Sequence, residues 1–119
     1  MQFSQTIPVT YKYSSSENTS VQNISKALLE TCDMYTEWVR INSQLIPEFS
    51  IVFPDGVTAP DVEAFWNLVL LQIVTGNVGV LDVKNNYAEY SRVFEIANLL
   101  ACLPVRDQLL SQLVEVPWA

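Results

Sequence analysis

Between Phe65 and Val114 the chain is punctuated in a way that only a helical second half satisfies. Val62, Phe65, Trp66, Val69, Leu70 and Ile73 recur at the spacing of one helix face, and Thr75 with Gly76 stops the run. Upstream, Thr58, Ala59, Pro60 and Asp61 place a capping hydroxyl, a first-turn proline and a carboxylate at the third helical position. Val78 to Val83 is a short apolar link with room for a small strand. Asn86 followed by Glu89 then repeats the capping pattern. The helix it opens runs through Tyr90, Val93, Phe94, Ala97 and Leu100. Ile96, Leu99 and Leu103 make it apolar around most of its girth, as in a helix central to a core or shared with a partner. Pro104 opens a last helix with Val105, Leu109, Leu110 and Leu113 on one side, and Pro117 stops it.

The first half reads differently. Ile7, Val9, Tyr11 and Tyr13 alternate with polar residues or proline, the period of a strand, and Pro8 places itself near the strand's beginning or on an edge. A polar turn, Ser14 to Asn18, leads to a return strand from Thr19 to Ile24. Asn23 reads as the cap of a following helix. The helical phase then slips between Thr31 and Asp33, which predicts two helices meeting at a corner. Glu30, Asp33 and Glu37 fall on its solvated side. Asn42 to Glu48 reads as a loop, Phe49 to Phe53 as a third strand, and Pro54, Asp55 and Gly56 as its exit turn.

With 119 residues there is material for one domain, residues 1–119. Half of the residues are hydrophobic and 16% are charged, which supplies a well-filled core or apolar surface held for a partner. A net charge of −7, with six scattered basic residues, argues against nucleic acid and against an anionic membrane surface. The chain has no histidine, three glycines and two distant cysteines, Cys32 and Cys102. It therefore offers no common general base, no phosphate-cradling loop and no zinc-binding set, and is read as a non-enzyme without cofactor or metal. Both cysteines read as buried small hydrophobes in a reducing compartment. Met1 to Gln5 lacks the character of a secretory signal, so the expected location is cytoplasmic or nuclear. Trp118 is expected to close the last helix against the core.

The order strand, strand, helix pair, strand, helix, helix, helix resembles the BTB/POZ-type fold, the group that includes elongin C and the F-box adaptor. Three segments carry the resemblance. Ile24 to Leu29 with Met34 to Val39 look like the paired helices after the hairpin. Phe49 to Phe53 with Pro54, Asp55, Gly56 and Val57 look like the third strand and its exit. Ala97 to Cys102 is similar to the Ala-Asn-aromatic-Leu-Asp-Cys stretch of elongin C, and Leu103 to Asp107 is nearer to BTB proteins, where a proline and an Arg-Asp pair open the last helix. The resemblance implies an α+β fold with a small three-stranded sheet flanked by five or six helices.

It also implies a protein–protein adaptor or scaffold, bridging a cullin to a substrate receptor helix in a ubiquitin ligase. The alternative is self-association as an oligomerisation module. Departures accompany it. Only about six residues precede the first strand, Glu95 stands where elongin C has a methionine, and a helix follows Cys102. These features describe a compact variant whose groove takes a different partner. The partner-binding residues implied are Glu95, Leu99, Cys102 and Leu103. Ile46 and Glu48 join them, because Ile46, Pro47 and Glu48 fit the hydrophobic–any–Glu triplet of a cullin contact. Tyr35, Thr36 and Glu37 fit that pattern too.

Overall fold

The computed structural model describes residues 5–14, 19–42 and 49–115, with the backbone alone at Asn42. Ile46, Pro47, Glu48, Pro117 and Trp118, and the readings attached to them, lie outside the described residues. The fold is α+β, a three-stranded sheet with five helices among the described residues. β1 (Thr6–Tyr13) and β2 (Thr19–Ser25) form an antiparallel hairpin, with Thr6 opposite Ser25 and Lys12 opposite Thr19. β3 (Phe49–Phe53) lies parallel to β1 on its other side, with Val9 opposite Phe49 and Tyr13 opposite Phe53, so the order is β2-β1-β3. A parallel neighbour needs a crossover. α1 (Lys26–Leu29) and α2 (Asp33–Asn42) lie in that crossover.

Pro8 sits third in the central strand, opposite Asn23 of β2, and among the described residues the pairing with β3 begins at Val9. The predicted cap at Asn23 is corrected. β2 continues through Ser25, which occupies the N-cap position of α1, while Asn23 stays paired opposite Pro8. The hairpin ladder competes successfully with a local cap. The corner between Thr31 and Asp33 forms as read.

α3 (Ala59–Thr75) rests on the sheet through Val62, Phe65, Trp66 and Val69, all buried. Leu70, read as part of that stripe, is instead 41% exposed, with Leu71 and Val74 beside it on the outer side. Trp66 Nε1 donates to the Tyr11 hydroxyl at 2.9 Å, and that hydroxyl donates to Gln22 Oε1 at 2.9 Å, tying α3 to both hairpin strands. Burial pushes the Tyr11 phenol up to about 12, so this chain of bonds stays intact through the physiological range. Gly76 closes α3 with φ 81°, a left-handed turn that glycine adopts without strain.

Residues 76–86 form no strand, which corrects the expectation for Val78 to Val83. α4 (Tyr87–Leu99) then begins at Asn86, whose side chain makes no cap bond. Its amide donates instead to the Asp82 carbonyl at 3.4 Å. α5 (Leu103–Glu115) starts one residue before Pro104. The core gathers Val9, Tyr11 and Ile51 from the sheet, Phe65 and Val69 from α3, Ile96 from α4 and Leu109 from α5.

The capping box at Thr58 forms as read and acquires a further partner. Asp61 Oδ2 accepts from the Thr58 N–H at 2.9 Å and from Arg92 Nε of α4 at 2.8 Å, so one carboxylate caps α3 and pins α4. Burial works against its charge, but these bonds prevail and hold its carboxyl below the ordinary carboxylate range. A depressed folded value means stability fully present above the unfolded pKa of about 4 and lost as pH falls through the folded one. Asp61→Ala should cost about 1–2 kcal/mol at neutral pH in urea denaturation. The gap to wild type should narrow as pH falls below about 4; a gap of constant size would contradict the assignment.

Candidate functional site

The α4–α5 corner carries most of the residues expected to meet a partner. Leu100 caps α4, Ala101 adopts φ 52°, and Cys102 leads into α5. The Cys102 N–H bonds back to Ala97 O at 2.9 Å and the Ala101 N–H to Asn98 O at 3.2 Å, the paired bonds of a Schellman end. Glycine is the usual residue at the left-handed position. Alanine there stores on the order of 1 kcal/mol of strain.

Two carbonyls of this turn serve the other half of the molecule. Leu100 O accepts from the Met34 N–H and Ala101 O from the Asp33 N–H, each at 3.1 Å. Asp33 and Met34 open α2, so these donors have no partner inside their own helix. The negative end of α4 thus meets the positive end of α2. Thr31 lies in the same junction. Its hydroxyl donates to Leu28 O at 2.7 Å and sits 3.5 Å from Cys102 Sγ and 3.9 Å from Cys32 Sγ.

The expected partner residues among those described fall into three places. Glu95 and Leu99 are exposed, and four residues apart on α4 they share one face, Leu99 at 38% exposure. Leu103 is half-buried at the start of α5. Cys102 lies in the interior at 0% exposure, so it shapes that surface only through what packs on it.

A second concavity was not evident in the sequence. Residues 77–86 arch over the α3, α4 and α5 side of the molecule and leave a cleft of about 410 Å³. Leu68, Leu81, Val93 and Leu109 give it an apolar lining, and Asp82 and Glu89 add carboxylates. Its wall is held from α5. The Val78 N–H donates to Gln108 Oε1 at 2.8 Å, the Leu81 N–H donates to Gln112 Oε1 at 2.9 Å, and Gln112 Nε2 donates to Gly79 O at 2.6 Å. Two glutamines four apart on α5 were the available signal, but nothing local says that they clamp a distant loop. The cleft suits an apolar side chain with a neutral or basic neighbour.

Among the described residues, no group of three or more His, Cys, Asp or Glu side chains is placed to hold a metal ion. No helix among them is long and apolar enough to cross a membrane. No protein-family model matches the sequence, and no curated protein matches it either.

Gln112→Ala removes both bonds that hold Gly79 and Leu81, and should cost about 1–3 kcal/mol by urea denaturation. Ala101→Gly relieves a strained backbone but loosens the unfolded chain, so it should stabilise by up to about 1 kcal/mol. A destabilising Ala101→Gly would show that the corner is not strained.

Proposed function

We propose that this protein is a non-enzymatic adaptor of BTB/POZ-like, elongin C-like type, working in the cytoplasm or nucleus by holding protein partners together. The observation that carries the reading is the order and pairing of its elements. A hairpin is followed by a helix pair, a third strand returns parallel to the first, and three helices follow it. The order of elements is the one the sequence resemblance implies. Glu95 and Leu99 on α4, with the cleft beside α3, supply surfaces for helix-in-groove recognition. In the ligase form of the proposal the partners are a cullin and a receptor helix, with Ile46 and Glu48 at the cullin contact. The absence of histidine and the capping role of Asp61 leave little for acid–base chemistry.

Self-association is the second reading. Leu70, Leu71 and Val74 on α3 and Leu110 and Val114 on α5 are exposed, with Val74 at 66% and Val114 at 78%. Light scattering separates the two readings, since a strict monomer at high concentration contradicts self-association.

Affinity purification from the native cell, read by mass spectrometry, tests the adaptor directly. The ligase form expects a cullin or a receptor in the eluate, and recovery of neither contradicts it. Leu99→Glu should reduce partner recovery severalfold while changing stability by no more than about 0.5 kcal/mol. Unchanged recovery would remove Leu99 from the interface.

A further inference from the structure

The junction between the α1–α2 corner and the α4–α5 corner brings together Cys32 and Cys102, which the sequence separates widely and which are both free thiols. The Thr31 hydroxyl touches both sulfurs, standing 3.5 Å from Cys102 Sγ and 3.9 Å from Cys32 Sγ, and the Asp33 N–H to Ala101 O bond ties the two backbones beside them. Their environments differ. Cys102 immediately precedes α5, which places it at the positive end of that helix. Cys32 closes the turn after α1, its N–H donating to Leu29 O at 2.9 Å, with Asp33 next in sequence.

We propose that Cys32 and Cys102 are a peroxide-reactive dithiol, with Cys102 the attacking sulfur, Cys32 the resolving one, and an intramolecular disulfide across the junction as the product. A Cys32 thiol donating toward Cys102, with the Val105 N–H beside it, holds Cys102 below the ordinary thiol range even though burial opposes it. The same bond and burial push Cys32 up, so it remains the protonated donor.

The chemistry balances. The Cys102 thiolate attacks one oxygen of hydrogen peroxide. The S–O bond forms, the O–O bond breaks, and hydroxide leaves and takes up a proton. The Cys32 sulfur then attacks the sulfenic sulfur. The S–S bond forms, the S–O bond breaks, and water leaves with the Cys32 proton. The sulfur pair loses two electrons and peroxide gains them. Both sulfurs are enclosed, at 1% and 0% exposure. Reaction therefore waits on opening of the corner held by the Asp33 and Met34 N–H bonds, and is slower than at an exposed thiol.

The test uses the whole chain under native conditions. It is treated with hydrogen peroxide, quenched, denatured and alkylated, then read by intact mass and peptide mapping. The expected result is loss of both alkylation sites together and a Cys32–Cys102 linked peptide lighter by two hydrogens. Dithiothreitol should restore both sites. The disulfide closes a long loop of chain, so the oxidised form should melt at higher temperature. Cys32→Ser should leave a sulfenic acid on Cys102 that dimedone traps, whereas Cys102→Ser should leave Cys32 unreacted. Cys32→Ala and Cys102→Ala serve if the serine variants fail to fold, and the wild-type map stands without either. Two cysteines still fully alkylated after the methionines have oxidised, or a disulfide formed only between chains, would overturn the proposal.

Discussion

Two hydrogen bonds join the halves of this molecule end to end. The first N–H groups of α2, at Asp33 and Met34, have no acceptors within their own helix, and the Leu100 and Ala101 carbonyls lie at the end of α4. Each set satisfies the other, and the helix dipoles meet head to tail. The crossover that allows β3 to lie parallel to β1 is thereby fixed to the helical half. Ala101 adopts its left-handed conformation at this point, which is where a tight turn must present a carbonyl to a partner. The two thiols share the same junction, so its packing and its chemistry have one origin.

Other ties converge on α3. Its inner face fills the space over the sheet, and Trp66, Tyr11 and Gln22 continue that contact as a chain of hydrogen bonds out to the edge strand. Asp61 caps α3 and holds Arg92 of α4, so the start of one helix sets the position of the next. Gln108 and Gln112 of α5 do the same for residues 77–86. Each tie is a polar group whose partner lies far along the chain, which is why the helical half packs in one arrangement.

The difference between what was legible and what was not follows from that distance. Thr58 with Asp61, Gly76, the slip near Thr31 and the period of β1 act over four or five residues, and each is a local signal that survives folding. Asn23 was misread because ladder pairing outweighs a cap, and Leu70 because an apolar residue on a helix flank need not reach the core. The dual role of Asp61, the glutamine clamp and the meeting of Cys32 and Cys102 at Thr31 depend on contacts between remote segments, which no periodicity encodes. Of the proposed partner surface, Glu95 and Leu99 were legible through helical spacing, while the cleft beside Leu81 depends on the path of a loop.

The α4 face is useful for recognition only if the corner behind it is rigid, and the junction with α2 is what makes it so. Native-state hydrogen exchange at the Asp33 and Met34 amides tests this most directly. If the junction joins the two halves, both amides are protected far above the level of a fraying helix end and exchange together, when the corner opens. Exchange of these two amides at the rate of a fraying helix end, while the amides of β1 stay protected, would contradict it.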